Sequence, residues 1–107
     1  PQIEGFLVEV VSSDADRATV RVEGEVDLYS APFLKSRLVE LATEGKRHLT
    51  VNLSGVTFID STGLGVIVSV LKRVREAGGD LRVQSPSAPT FKVLEITGLH
   101  KLLEIIE

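Results

Sequence analysis

Asp60-Ser61-Thr62-Gly63-Leu64-Gly65 joins an apolar run, Leu49 to Leu53, to an amphipathic run that ends near Arg75. Ser61 stands where a helix should begin. Its hydroxyl is predicted to cap that helix by accepting a hydrogen bond from an orphan backbone N–H two or three residues on. Glycine in a first helical turn costs stability relative to alanine. Gly63 and Gly65 therefore point to a close approach by another molecule's backbone or by a phosphate. The competing reading is a structural cap and turn, since serine is simply a preferred residue at that position.

Upstream of this stretch, Phe6, Val8 and Val10 alternate with Leu7 and Glu9, which predicts a strand from about residue 6 to 11. Ser12 to Asp16 is a polar turn. Ala18, Val20 and Val22 then give a second strand, returning as a hairpin partner with one solvated face. Gly24 to Tyr29 is expected as a connecting loop. Ser30 is a candidate cap, with Pro32 in the first turn of a helix carrying Leu34, Leu38, Leu41 and Ala42 and ending at Gly45. Leu49, Val51 and Leu53 form a third strand, followed by a loop from Ser54 to Asp60.

Downstream, Leu64, Ile67, Val68, Leu71 and Val74 make one face of the second helix, with Lys72, Arg73, Arg75 and Glu76 on the other. Gly78-Gly79 stops it. Leu81 and Val83 predict a fourth strand. Ser87 is a second cap candidate for a short third helix with Phe91, Val93, Leu94 and Ile96, closed by Gly98. Leu102 to Ile106 is a last strand.

The pattern is an α/β domain: an initial antiparallel hairpin, then parallel β-α-β crossovers, in one mixed sheet with about three helices. Strand order does not follow from it. The loops after strands two and three both leave the carboxyl ends of parallel strands, where open α/β sheets place their sites. Asp27 and Ser61 are thus predicted to share one surface.

At 107 residues the chain is one domain, and 43% hydrophobic with 25% charged residues suits an ordinary soluble globular fold. A net charge of -3 without a basic stripe argues against nucleic acid; the densest cations, Lys72, Arg73 and Arg75, lie on a helix's polar side. The chain has no cysteine, which excludes disulfides, a thiolate nucleophile and a cysteine-ligated metal and is compatible with a reducing cytoplasm. No apolar run approaches the roughly 18 residues a bilayer span needs, and no signal peptide is visible. A start at Pro1, the lack of methionine and an apolar run just before Glu107 lead us to expect a trimmed or excerpted domain.

Enzyme chemistry finds little support. Ser61 as a nucleophile would need a nearby base. The histidines are His48, at the far end of strand three, and His100, beyond the third helix. Asp60-Ser61-Thr62-Gly63 carries one residue too many for the Asp-Thr-Gly turn of retroviral-type aspartic proteases, and its flanks are not all-β. Gly63-x-Gly65 lacks the third glycine of a dinucleotide fingerprint and the Gly-Lys-Ser/Thr of a P-loop. Glu25, Asp27 and Asp60 do not have the spacing of a calcium loop.

The run Val51-Asn52-Leu53-Ser54-Gly55-Val56-Thr57-Phe58-Ile59-Asp60-Ser61-Thr62-Gly63-Leu64-Gly65-Val66 resembles the signature of the STAS domain, in its bacterial anti-sigma-factor antagonist branch. Gly24-Glu25-Val26-Asp27 is similar to that family's earlier Gly-Glu-hydrophobic-Asp motif. Gly78-Gly79 with Leu81 and Val83, then Thr97-Gly98-Leu99, match its later landmarks. The resemblance covers essentially the whole chain, residues 1–107, and implies a STAS-type fold lacking a C-terminal helix that relatives often carry.

It further implies a cytoplasmic binding module rather than an enzyme. Such a module binds an anti-sigma factor with serine kinase activity and so releases the sigma factor. The kinase phosphorylates the serine after the motif's aspartate, here Ser61, with Thr62 the second choice. The phosphorylated form no longer binds, and a PPM-type phosphatase restores it. Asp27, Asp60, Ser61, Thr62, Gly63, Leu64 and Gly65 are the expected partner contacts. Asp60 is expected to shape the loop or align the hydroxyl, or to be only an acid favoured near a helix start. No cofactor, metal, nucleic acid or membrane is implied, and the expected state is a monomer or weak homodimer. Another class stays open: an unphosphorylated accessory STAS domain of a transporter, stress-signalling or lipid-transport complex.

Overall fold

Two long parallel strands, β2 (Arg17–Val26) and β3 (His48–Ile59), form the spine of the molecule. A computed structural model describes residues 3–107. β1 (Leu7–Ser13) pairs antiparallel with β2, while β4 (Asp80–Gln84) and β5 (Glu104–Ile106) continue the sheet in parallel. The strand order is β1-β2-β3-β4-β5. The expected hairpin and crossovers are therefore present, and the order left open by the sequence is sequential. Helices α1 (Ala31–Thr43), α2 (Ser61–Glu76) and α3 (Ala88–Thr97) fill the crossovers. Every crossover steps the same way across the sheet, so the right-handed connection that parallel β-α-β units adopt puts the helices on one face. No helix among the described residues is long and apolar enough to cross a membrane.

The sheet's covered face supplies most of the core. Val20, Val22 and Val26 of β2, with Leu49, Val51 and Leu53 of β3 and Leu81 and Val83 of β4, are all essentially inaccessible. Leu34, Leu38 and Leu41 of α1 and Ile67, Leu71 and Val74 of α2 close over them. In α2, Val66 and Val70 are also buried, whereas Val68 lies half-buried, so the apolar face is broader than its spacing suggested. Ile96, expected on the core side of α3, is 75% exposed.

Both spine strands run further than the alternation predicted. Gly24 to Val26 and Ser54 to Ile59, read as loops, are strand. The inward residues of β3 are Leu49, Val51 and Leu53, then Val56 and Ile59, a change of step from two to three. The cause is a pair of register shifts against β2, between Arg21 and Glu23 and between Gly24 and Glu25. Each gives β3 an extra residue and turns its side chains. Asn52 holds the first shift: its Oδ1 accepts from the Ser54 N–H at 2.9 Å and the Ser54 hydroxyl at 2.7 Å.

The extension decides where the site sits. It carries β2 and β3 together to Val26 and Ile59, paired across the sheet. The Asp60 N–H then donates to the Val26 carbonyl at 3.1 Å. Asp27 and Asp60 each follow one member of that pair, on the carboxyl edge.

Candidate functional site

Asp60 is the N-cap of α2, and Ser61 is its first helical residue. The expectation that the Ser61 hydroxyl caps the helix is corrected. Asp60 Oδ1 accepts from the N–H of Thr62 at 2.9 Å and of Gly63 at 3.1 Å. A charged carboxylate is the stronger acceptor and wins the first turn. Leu64 N–H donates to the Asp60 carbonyl at 3.0 Å. Among the described residues, that leaves the Ser61 N–H and hydroxyl without a hydrogen-bond partner, on an exposed residue.

A similar device operates next door. Ser30 occupies the cap position of α1 but makes no capping bond. Asp27 does the work instead: its Oδ1 accepts from the N–H groups of Tyr29 and Ser30, both at 3.0 Å. The Ser30 hydroxyl, 1% exposed, donates to the Glu25 carbonyl at 2.7 Å and accepts from the Asp27 N–H at 2.9 Å. Ser87, the cap candidate for α3, also makes no capping bond; its hydroxyl donates to the Val56 carbonyl at 2.5 Å, tying α3 to the β3 extension.

The N–H of Ser30, then that of Tyr29 and the Ser30 hydroxyl, hold the Asp27 carboxyl below the ordinary carboxylate range. The folded-state pKa is depressed, so the turn is fully stabilised above the unfolded value of about 3.9 and loses that stabilisation as pH falls through the folded value. In an acid titration followed by NMR, the Tyr29 and Ser30 amide signals should shift together with a midpoint below that unfolded value. A midpoint at or above it would contradict the hydrogen bonds assigned to Asp27.

The two glycines of the opening stretch have different reasons. A Cβ on Gly63 would meet Val26 Cγ1 at 2.6 Å and Ile59 Cγ1 at 2.9 Å. The close neighbour at Gly63 is thus the chain's own sheet, not another molecule. At Gly65, which is exposed, a Cβ would have nothing within 4 Å. Gly65→Ala should therefore stabilise the fold by up to about 1 kcal/mol through helix propensity alone. Gly63→Ala should destabilise it by roughly 1 kcal/mol or more, as overpacking does. Urea melts of both variants check the opposite signs.

Of the expected partner contacts, Ser61 and Gly65 are exposed, and Asp27, Asp60 and Thr62 are half-buried. Gly63 and Leu64 are buried in the free chain, Leu64 at 7% exposure, and lie beneath that surface. Leu28 and Tyr29, assigned nothing from the sequence, are 61% and 76% exposed beside Asp27. Their signal was an apolar pair inside an otherwise polar turn.

The histidines stand elsewhere. His48 Nε2 is 3.7 Å from the Asp16 carboxylate, at the amino end of β3, and His100 Nδ1 is 3.3 Å from the Leu94 carbonyl. A depression of about 500 Å3 lined by Thr19, His48, Thr50 and Arg82 also lies at that amino end, remote from Ser61. A hollow of about 380 Å3, lined by Gly24, Glu25 and Thr57 among others, adjoins Asp27. Ser61 lines neither hollow.

A family model described as the STAS domain matches residues 8–107. An anti-sigma-B factor antagonist of Bacillus subtilis (strain 168) is 40% identical over 98 residues, which span 92% of this chain and 88% of that protein. Among solved structures, an anti-sigma factor antagonist from Mycobacterium paratuberculosis superposes with a TM-score of 0.79 at 26% identity, covering 94% of this chain and 83% of that one. The Bacillus cell fate determinant SpoIIAA in its phosphorylated form gives a TM-score of 0.71 at 20% identity, covering 94% and 89%, a likeness of fold.

Proposed function

The chain belongs to the STAS domain family, in its anti-sigma-factor antagonist branch, and from that premise we propose that it binds a serine-kinase anti-sigma factor and is released by phosphorylation at Ser61. The observation that carries this reading is the Ser61 hydroxyl: exposed, unpartnered among the described residues, and on the same sheet edge as Asp27. The role is regulatory and non-catalytic. The kinase's ATP supplies the γ-phosphoryl group, which passes to Ser61 Oγ as ADP leaves and the hydroxyl proton goes to a base of the kinase.

Asp60 and Asp27 have defined parts. By capping α2 through the next two N–H groups, Asp60 fixes Ser61 at the first helical position and consumes the donors that would otherwise cradle a phosphate. Only the Ser61 N–H is left, so the new anion stays in water rather than folding back onto the helix. One oxygen of Asp27 holds its turn. The other has no hydrogen bond among the described residues and is offered to the partner. A PPM-type phosphatase resets the cycle, which runs in the cytoplasm, with the free chain a monomer or weak homodimer.

Incubating the chain with the source organism's kinase anti-sigma factor and labelled ATP, followed by peptide mass spectrometry, tests this. Phosphate on Ser61, and its absence from Ser61→Ala, is the expected outcome. Phosphate on Thr62 would move the switch one residue; incorporation at neither would leave an unmodified accessory module.

A further inference from the structure

The large apolar side chains that this fold leaves outside its core are unevenly placed. Leu7 and Val11 lie on β1, Phe58 on β3, Ile96 on α3 and Leu102 in the turn before β5, a scatter that is ordinary for a protein surface. Leu28, Tyr29 and Phe33 do not. They are 61%, 76% and 40% exposed, and all follow Asp27 within one turn and the start of one helix. Phe33 comes four residues after Tyr29, at the first turn of α1.

The backbone of this ledge is pinned by hydrogen bonds that do not involve its apolar side chains. Asp27 Oδ1 holds the Tyr29 and Ser30 N–H groups, the buried Ser30 hydroxyl is tied to Glu25, and the Ala31 N–H donates to the Asp27 carbonyl at 2.8 Å. A tyrosine presented on a fixed turn loses little freedom when it is covered, and tyrosine is enriched among the residues that dominate binding energy. The ledge is also continuous with the switch, because Asp27 and Asp60 follow the paired residues Val26 and Ile59.

Charge narrows what can cover it. The stretch from Gly24 to Phe33 contains Glu25 and Asp27 and no cation, Asp60 is bonded to it through Val26, and Arg37 enters only at the Phe33 end, where it lines the same hollow. A complementary surface is an apolar pocket with a basic rim. A second copy of this chain would instead bring the same acids against themselves.

We propose that Leu28, Tyr29 and Phe33 form the anchor of the interface with the kinase anti-sigma factor, entering an apolar, basic-rimmed pocket on that protein. The inference rests on the functional reading above. It divides the interface into two parts: the ledge supplies affinity, and Ser61 supplies the switch.

Calorimetric titration of the full chain against the source organism's kinase anti-sigma factor tests the anchor, using Tyr29→Ala, Tyr29→Phe, Leu28→Glu and Ile96→Ala. Tyr29→Ala should weaken binding by about 30-fold or more, and Leu28→Glu by at least as much. Tyr29→Phe should stay within about threefold, since the ring is the anchor, and Ile96→Ala should match wild type. Phosphorylation of Tyr29→Ala should show a raised KM with kcat nearly unchanged, which a general loss of fold would not give. Tyr29→Ala and Leu28→Glu both binding like wild type would overturn the anchor. So would an intact kinase affinity accompanied by loss of a homodimer in sedimentation, which would assign the ledge to a second copy. A wild-type chain that does not bind the kinase would overturn the functional reading itself, and the occupant named here with it; that result is distinguishable because no variant is involved.

Discussion

Ser61→Asp is expected to weaken binding to the anti-sigma factor at least tenfold while leaving the helical circular dichroism spectrum unchanged. The residue is exposed at the first position of α2, so a carboxylate there needs no rearrangement of the core. An anion near a helix N-terminus is favoured by the macrodipole, which offsets repulsion from Asp60. What changes is the cost of being covered. With Thr62 and Gly63 N–H groups already taken by Asp60, the added charge relies on water, and a docking partner must strip that water away. Two unit charges about 4 Å apart interact by about 1 kcal/mol in water and about 4 kcal/mol at an effective dielectric near 20. Tenfold in affinity needs only about 1.4 kcal/mol. A single anion can therefore disable an ordinary interface without any change of fold. Ser61→Ala should bind like the unmodified protein and resist the kinase. A melted Ser61→Asp, or one binding as tightly as wild type, contradicts the account.

The largest loss of stability should come from a residue with no part in the switch. A Cβ on Gly79 would lie 1.9 Å from the Arg47 carbonyl oxygen and 2.6 Å from its carbon. Both are backbone atoms of the residue just before β3, and Arg47 O also accepts from the Asp80 N–H at 3.0 Å, next to the first β3–β4 pair, His48 and Asp80. No rotamer change relieves that contact. Gly79→Ala should cost about 3 kcal/mol or more, at or beyond the upper end of overpacking penalties. Thermal and denaturant melts check it; a loss within about 0.5 kcal/mol, as for ordinary surface substitutions, would mean that the β3–β4 junction is not built this way. The contrast with Ser61→Asp is the useful part. One substitution should damage the fold, the other only the interface.

The β-α-β units could be read from the sequence because Val20 and Val22, or Leu49, Val51 and Leu53, alternate cleanly and face the core. Reading stopped at Leu53 because the register shifts change the step to Val56 and Ile59, and a period-two template cannot follow a bulge. The placement of Asp27 and Ser61 on one edge followed from topology alone and survived the longer strands, since both strands lengthen together. The roles within the site were less accessible. Serine and aspartate are both good caps, and only coordinates show that Asp60 and Asp27 take the amides while Ser61 stays free and Ser30 is buried. Gly63 and Gly65 look alike in the sequence. They differ only because Gly63 faces Val26 and Ile59 and Gly65 faces solvent.

The most direct test compares two forms of the wild-type chain, unmodified and quantitatively phosphorylated, for affinity to the anti-sigma factor and for their amide NMR spectra. The account predicts binding by the unmodified form, loss of binding by the phosphorylated form, and spectral changes confined to the carboxyl edge around Asp27 and Asp60 to Gly65. Equal affinity of the two forms, or shifts spread through the core of the sheet, would contradict it.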